Sequence, residues 1–570
     1  MKKNYRLLSL ITGASLFAGV ATGCGSTASY DATMPSAEKD MPVNESASYK
    51  MEGSPAKISE PEREVREDSE AVAENWDMEG AKMASESCAD YLDSNACLQF
   101  YPNDEKVNTE SYDKPEENGF FLSRSQPLST FAADVDTASY ANVRRMIENG
   151  YSADDIVPEA VRPEEFINYF SYNLKSPSGG KKFGVTTEVA GCPWNEDHQL
   201  MFVGVKAQDP YKGEIPKSNL VFLIDVSGSM DDRDKLYLLQ DAFNDLVDNL
   251  PGEGTISIVT YASKEEVVLD GENMRNKIAV KKAINSLHAE GATAGERGME
   301  MAYEIAESHF IDGGNNRIIM ATDGDLNVGI SDPDELEDFI EKKKESGIYL
   351  SVLGFGDGNY KDDRLDRLAD CGNGNYSYID SGPEAHKVLV DEMTSTLVTV
   401  AKDVKFQVEF NPAAVNAYRL IGYENRSMDA VDFNDDSKDG GELGAGHSVV
   451  ALYEIIPAGA ESAIDLKYQP STNEGSEDEF ATVKIRYKEP SANESKLETY
   501  AVNKVCLTDK AGDNLAFAEL AAEFAMLLSR SNYTGNLTYS DILNGYRQIT
   551  HTDEYRDEFY NLVRMVEKRD

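Results

Sequence analysis

Asn219-Leu220-Val221-Phe222-Leu223-Ile224-Asp225-Val226-Ser227-Gly228-Ser229-Met230 is the stretch that decides how this chain is read. The unbroken apolar run 220–224 suits a strand buried on both faces of a parallel sheet, and Asp225, Ser227 and Ser229 follow where the chain leaves that sheet. In open α/β sheets the carboxyl edge is where ligands bind. One carboxylate and two hydroxyls at alternate positions form a set of hard oxygen donors suited to Mg²⁺ or Mn²⁺. An ordinary Ser-rich turn has the same composition, so the five-residue pattern needs support from elsewhere in the chain.

Two downstream segments supply it. Glu290-Gly291-Ala292-Thr293-Ala294-Gly295 places a Thr in a Gly-flanked loop after a helical stretch, and Asn316-Arg317-Ile318-Ile319-Met320-Ala321-Thr322-Asp323-Gly324-Asp325 is a second buried strand ending in a carboxylate. With these, the chain resembles the von Willebrand factor type A (VWA) domain and its metal-ion-dependent adhesion site. The resemblance implies that Ser227, Ser229 and Thr293 supply hydroxyl oxygens, and that Asp225 and Asp323 bind Mg²⁺ or Mn²⁺ directly or through water. Mostly neutral ligands leave a cation under-neutralised, so an open position can take a carboxylate from a protein partner. Flanking segments extend the likeness. Leu128-Ser129-Thr130-Phe131-Ala132-Ala133-Asp134-Val135-Asp136-Thr137-Ala138-Ser139-Tyr140, Val161-Arg162-Pro163-Glu164-Glu165 and Asn168-Tyr169-Phe170 resemble the N-terminal region of bacterial YfbK-like VWA proteins. Asp403-Val404-Lys405-Phe406-Gln407-Val408-Glu409-Phe410-Asn411-Pro412, Tyr418-Arg419-Leu420-Ile421-Gly422-Tyr423-Glu424-Asn425-Arg426 and Gly444-Ala445-Gly446-His447 resemble that family's C-terminal domain. The family resemblance carries a fold but no established activity.

The strand and helix periods divide the rest. Expected strands at 221–225, 255–261, 317–322 and 349–355 alternate with helical patterns, the sign of a doubly wound, mostly parallel sheet. Leu236, Leu239, Phe243, Leu246 and Leu250 place a helix directly after the Asp-Ser-Ser loop. After Lys402 the period changes to two: Val404, Phe406, Val408 and Phe410, then Ala481, Val483, Ile485 and Tyr487, predict half-buried antiparallel strands. Strands are also expected at 183–189 and 199–205, ahead of the VWA segment. The expectation is an α/β VWA domain at 217–400 inserted between an N-terminal region at 121–216 and a β-rich C-terminal domain at 401–570, the two flanks forming a composite β domain.

At 570 residues the chain is too long for one ordinary domain. Its 102 Asp and Glu against 55 Lys and Arg give a net charge of -47, a field that repels phosphate backbones and excludes nucleic acid as a natural partner. Lys2, Lys3 and Arg6 precede an apolar run at 7–20, too short to span a membrane, and Ala21-Thr22-Gly23-Cys24 resembles a bacterial lipobox. A lipoprotein signal peptide at 1–24, lipidation of Cys24 and display on the extracytoplasmic face of a cell membrane are therefore expected. Residues 25–120, rich in Ser, Glu, Ala and Pro, predict a disordered acidic tether. Within it Cys88 and Cys97 are spaced for a small disulfide loop, whereas Cys192, Cys371 and Cys506 have no evident partners.

Other chemistries compete for parts of this pattern. Asp134-Val135-Asp136-Thr137 matches the opening motif of haloacid-dehalogenase-type phosphatases, with Gly356-Asp357 and Asp362-Asp363 imitating their distal acidic motif. Against it, Phe131-Ala132-Ala133 is a poor buried strand, and Asp136-Thr137 reads as the cap of a helix at 138–148. Gly446-His447-Ser448 begins like a hydrolase elbow, but Val450 stands where the second glycine is needed. Asp231, Asp232 and Asp325 form either a second cation site or a cluster of helix-start carboxylates. The expected function is binding, without catalysis, of an exposed Asp or Glu of a protein partner. The alternatives are a metal-dependent hydrolase and an envelope assembly factor with a non-functional metal site.

Overall fold

The structure is a computed structural model that describes residues 109–113, 116–212, 215–250, 252–292, 295–324, 333–459 and 478–570. Cys24, Cys88, Cys97, Thr293, Asp325, the signal peptide and nearly all of the expected tether lie outside the described residues. In chain order the strands are β1 (Phe121–Leu122), β2 (Leu128–Ala132), β3 (Phe183–Cys192), β4 (Asn195–Ala207), β5 (Ser218–Asp225), β6 (Gly254–Tyr261), β7 (Glu265–Asn273), β8 (Asn315–Thr322), β9 (Tyr349–Phe355), β10 (Tyr376–Ile379), β11 (Thr399–Phe410), β12 (Val415–Ile421), β13 (Gly441–Gly444), β14 (Ser448–Pro457), β15 (Glu479–Lys488) and β16 (Ser495–Asn503).

The expected parallel sheet is present, in the order β10-β9-β8-β5-β6-β7, with β7 as an antiparallel edge that the sequence reading did not include. Every residue of β5 and β8 is buried, which is why both strands read as continuous apolar runs. Phe222 stacks on Phe243 of the helix Leu238–Asn249, ring centroids 4.5 Å apart, while Val221 and Leu223 pack on the opposite face beside Met299 and Tyr303 of the helix Gly295–Ser308. From β5 the chain passes to β6 on one side and later to β8 on the other. The carboxyl ends of β5 and β8 thus frame a topological switch point.

The flanks interleave as expected. β4 and β1 from before the VWA segment pair with β14 and β12 from after it, in the order β1-β12-β14-β4-β3, and β2 pairs antiparallel to β11 in a sheet ordered β13-β11-β15-β16. Met201, Val203, Tyr453 and Ile455 of one sheet share a core with Phe406, Val408, Val483 and Ile485 of the other. Helices Ala138–Glu148, Pro163–Asn168, Asp513–Leu528, Tyr539–Tyr546 and Glu554–Glu567 share a second core with Leu200 and Phe202 of β4 and Val450 and Leu452 of β14.

Three local readings are corrected. Phe131-Ala132 does belong to a strand, β2, in which Phe131 is buried and stacks on Phe406; it looked poor because it is short and pairs within the β domain, not the parallel sheet. β11 is buried on both faces, not half-buried, because residues 430–435 lie over the face that Gln407 and Lys405 present: Gln407 donates to the Ala430 carbonyl, and the Lys405 ammonium lies 2.7 Å from the Asp435 carbonyl and 3.1 Å from Asp403. Thr137 sits at the N-terminus of the helix Ala138–Glu148 but makes no capping hydrogen bond with its side chain. The Ser139 amide donates instead to Glu165 Oε2 at 2.7 Å, a partner 26 residues away.

Buried arginines fix the VWA domain to its flanks. Arg144, on the helix Ala138–Glu148, reaches Asp380 at 2.6 Å, Glu384 at 2.8 Å and Glu558 at 3.0 Å. Arg162 holds Glu165 at 2.8 Å and Asp362 at 2.7 Å. Arg426 donates to Asp134 at 2.9 Å, to Asp366 at 2.8 Å and to Asp370. Removing one partner of such a buried cluster leaves uncompensated charge, so Arg426→Ala is expected to cost about 3–5 kcal/mol in urea unfolding of the full chain. A loss below about 1 kcal/mol would mean that the seam is held by its apolar contacts alone. A second expectation concerns the helix Asp513–Leu528, where burial, with Asp541 nearby, pushes Glu523 up to about 8. An unfolded Glu titrates near roughly 4.3. Protonation therefore favours the fold; stability is full below that value and falls as pH rises to about 8. Glu523→Gln should flatten the thermal-melt profile across this window, and an unchanged slope would assign it to other groups.

Candidate metal centre

Asp225 ends β5 and Asp323 follows β8, so the sheet itself brings the two carboxylates to adjacent strand ends; both are 0% exposed. Asp225 Oδ1 accepts from the Ser227 amide at 2.8 Å and Oδ2 from the Thr322 hydroxyl at 3.1 Å, which fixes the carboxylate in one orientation. Ser227 Oγ and Ser229 Oγ lie 3.0 Å apart, Ser227 buried and Ser229 exposed at the rim. Ser229 also hydrogen-bonds Asp323. Four of the five expected ligands thus converge on one point. Thr293 lies outside the described residues, but its loop is anchored here: the Gly228 amide donates to the Gly291 carbonyl at 2.9 Å and the Glu290 amide to the Val226 carbonyl at 2.7 Å. Gly291 has φ +81°, and a Cβ there would meet Ser263 Oγ at 2.3 Å, so its packing against the turn between β6 and β7 requires glycine.

Burial pushes Asp225 up to about 7, the nearby Asp323 charge adding to the effect against the hydrogen bonds from Ser227 and Thr322. For Asp323 burial acts in the same direction, but the Lys235 ammonium and the hydrogen bonds from Asn359, Lys235 and Ser229 together outweigh it and hold the carboxyl below its usual range. Two hydroxyls and two carboxylates, one of them awkward to ionise without a countercharge, are a donor set that fits a hard divalent ion such as Mg²⁺ or Mn²⁺.

Lys235 was not foreseen from the sequence. The expected helix after the loop starts only at Leu238; before it come a tight turn, Gly228–Met230, and a wider one, Arg233–Tyr237, broken at Lys235 with φ -118° and ψ -107°. Asp232 Oδ1 accepts from the Arg233 amide at 2.8 Å, as a helix-start carboxylate does. No sequence pattern marks Lys235, because the residues that receive its ammonium, Asp323 and Asn359, are 88 and 124 positions away.

The competing motifs have other partners. Asp134 and Asp136 are bound by Arg426, and Asp136 Oδ1 accepts from the Tyr376 amide at 2.9 Å, so the guanidinium supplies the positive charge there. Ser448 opens β14, paired with Lys206 of β4, and is not held on a strained elbow. Among the described residues, Cys192, Cys371 and Cys506 form no disulfide.

Comparison with known proteins agrees with this architecture. The family model described as von Willebrand factor type A domain matches residues 219–392, one described as uncharacterized protein YfbK, C-terminal, matches 395–568, and one described as von Willebrand factor matches 106–202. The uncharacterized protein YfbK of Escherichia coli (strain K12) is 41% identical over 472 residues, covering 80% of this chain and 81% of that protein. The uncharacterized protein sll0103 of Synechocystis is 30% identical over 196 residues, 34% of this chain and 45% of that protein. Among solved structures, a von Willebrand factor type A protein from Catenulispora acidiphila covers 70% of this chain and 97% of its own, at 16% identity and a TM-score of 0.38. The chain carries a VWA domain and belongs to the YfbK family.

Proposed function

We propose that this protein is an exported, lipid-anchored binding protein. In this reading its VWA domain holds Mg²⁺ or Mn²⁺ through Asp225, Ser227, Ser229, Thr293 and Asp323 and captures an exposed Asp or Glu of a protein partner, without catalysis. The observation that carries the reading is the convergence of Asp225, Ser227, Ser229 and Asp323 at the switch point of the sheet, with the serine hydroxyls 3.0 Å apart. Bound there, a divalent ion would supply a Lewis-acidic position for an incoming carboxylate. The chain's own residues do the rest: Thr322 and the Ser227 amide orient Asp225, and Gly291 seats the Thr293 loop against Gly228. The basic start and apolar run before Cys24 support export and anchoring. A metal-dependent phosphatase at Asp134 and Asp136 is disfavoured because both carboxylates are ion-paired to Arg426.

Isothermal titration of the full chain with MgCl₂ tests the metal reading. One ion per chain is expected, with binding abolished in Asp225→Ala and weakened at least about tenfold in Ser227→Ala, the scale of losing a ligand or its support. If the wild type takes up no metal and capture of envelope proteins is indifferent to chelator, the reading falls. The net charge of -47 adds a second expectation. Repulsion of an acidic partner is screened beyond a Debye length of about 8 Å, so metal-dependent capture should strengthen with modest salt. A fall in affinity as salt rises from low values would point to a basic partner surface instead.

A further inference from the structure

Lys235 is an ammonium aimed into the proposed metal centre. Its side chain is 5% exposed, its Nζ lies 2.9 Å from Asp323 Oδ2 and 3.1 Å from Asn359 Oδ1, and the helical winding breaks at this residue to deliver it. Space is also reserved for it. Gly356 has φ +75°, and a Cβ there would meet Lys235 Cε at 2.2 Å, Cγ at 2.6 Å and Cδ at 2.8 Å. A glycine at the end of β9 thus clears the path of a lysine stem that arrives from the other side of the site.

We infer that Lys235 is a tethered cation that competes with the divalent ion for Asp323. The inference rests on the reading of Asp225, Ser227, Ser229, Thr293 and Asp323 as metal ligands. Asp323 is enclosed, and the ammonium is the strongest influence favouring its charged form. A divalent ion seated beside Ser229 must draw on that same carboxylate with a like charge within a few ångströms, too close for salt to screen at a Debye length of about 8 Å. Lys235 therefore lowers metal affinity. A residue that merely positioned Asp323 for the ion would act in the opposite sense, and its removal would weaken metal binding.

The sign decides. Titrations of the full chain with MgCl₂ compare wild type, Lys235→Met, Lys235→Gln and Asp225→Ala, with thermal melts to establish folding. Competition predicts Mg²⁺ binding at least about tenfold tighter in both lysine variants than in wild type, and none in Asp225→Ala. Tight binding in Lys235→Met with none measurable in wild type also supports it. Equal or weaker binding in folded lysine variants overturns the inference and leaves the metal reading standing, while no binding in any folded variant overturns both. Should neither lysine variant fold, the wild type carries the test through amine-reactive labelling mapped by peptide mass spectrometry. Lys235 is expected to be protected without metal and reactive at saturating Mg²⁺, and continued protection overturns competition.

Discussion

The buried guanidinium clusters at the seam between the VWA domain and its flanks are the constraint on which the rest of the structure depends. Arg144, Arg162 and Arg426 each bind carboxylates from segments far apart in sequence. A chain with 102 acidic residues and 55 basic ones must spend its cations sparingly, and here they are placed where desolvated carboxylates would otherwise repel one another. Even so, burial leaves Asp362 up at about 7 despite Arg162. The seam is therefore an electrostatically tense junction in which each guanidinium spans several carboxylates at once, a role for which lysine would be a poor substitute.

This arrangement explains which parts of the fold were legible in the sequence. β5 and β8 could be read because burial on both faces leaves a continuous apolar run, and the interleaved flanks because a period of two returns on either side of the VWA segment. β2 and β7 were missed or undervalued for opposite reasons. β2 is short and takes its meaning from its pairing with β11, while β7 is an edge strand with little buried surface to imprint a pattern. The cap of the helix Ala138–Glu148 was misread because Glu165, not Asp136 or Thr137, serves its first turn. Local pattern finds elements, but long-range polar partners decide how their ends are satisfied.

The same division holds at the metal centre. Asp225, Ser227, Ser229 and Asp323 were legible because strand ends and fixed spacing bring them together. Lys235 was not, since its meaning depends on a glycine 121 residues downstream that leaves room for its stem. A lysine just before a helix is ordinarily a solvated charge.

The seam and the site are also contiguous. Asn359 holds the Lys235 ammonium, and Tyr360, next to it, is buried with its hydroxyl 3.4 Å from Asp362, the carboxylate that Arg162 grips from the N-terminal flank. On the other side, Gly324, directly after Asp323, packs so closely on this segment that a Cβ would lie 2.7 Å from the Lys361 amide. Residues 359–362 therefore touch the candidate metal centre at one end and the arginine clamp at the other. Because Arg162 holds Asp362 through a buried charged hydrogen bond of 2.7 Å, it also steadies the segment whose Asn359 receives the Lys235 ammonium at 3.1 Å. The flanks in this arrangement are part of the support of the site, which gives a physical reason for the VWA domain to be embedded within the composite β domain and not attached to it by a linker.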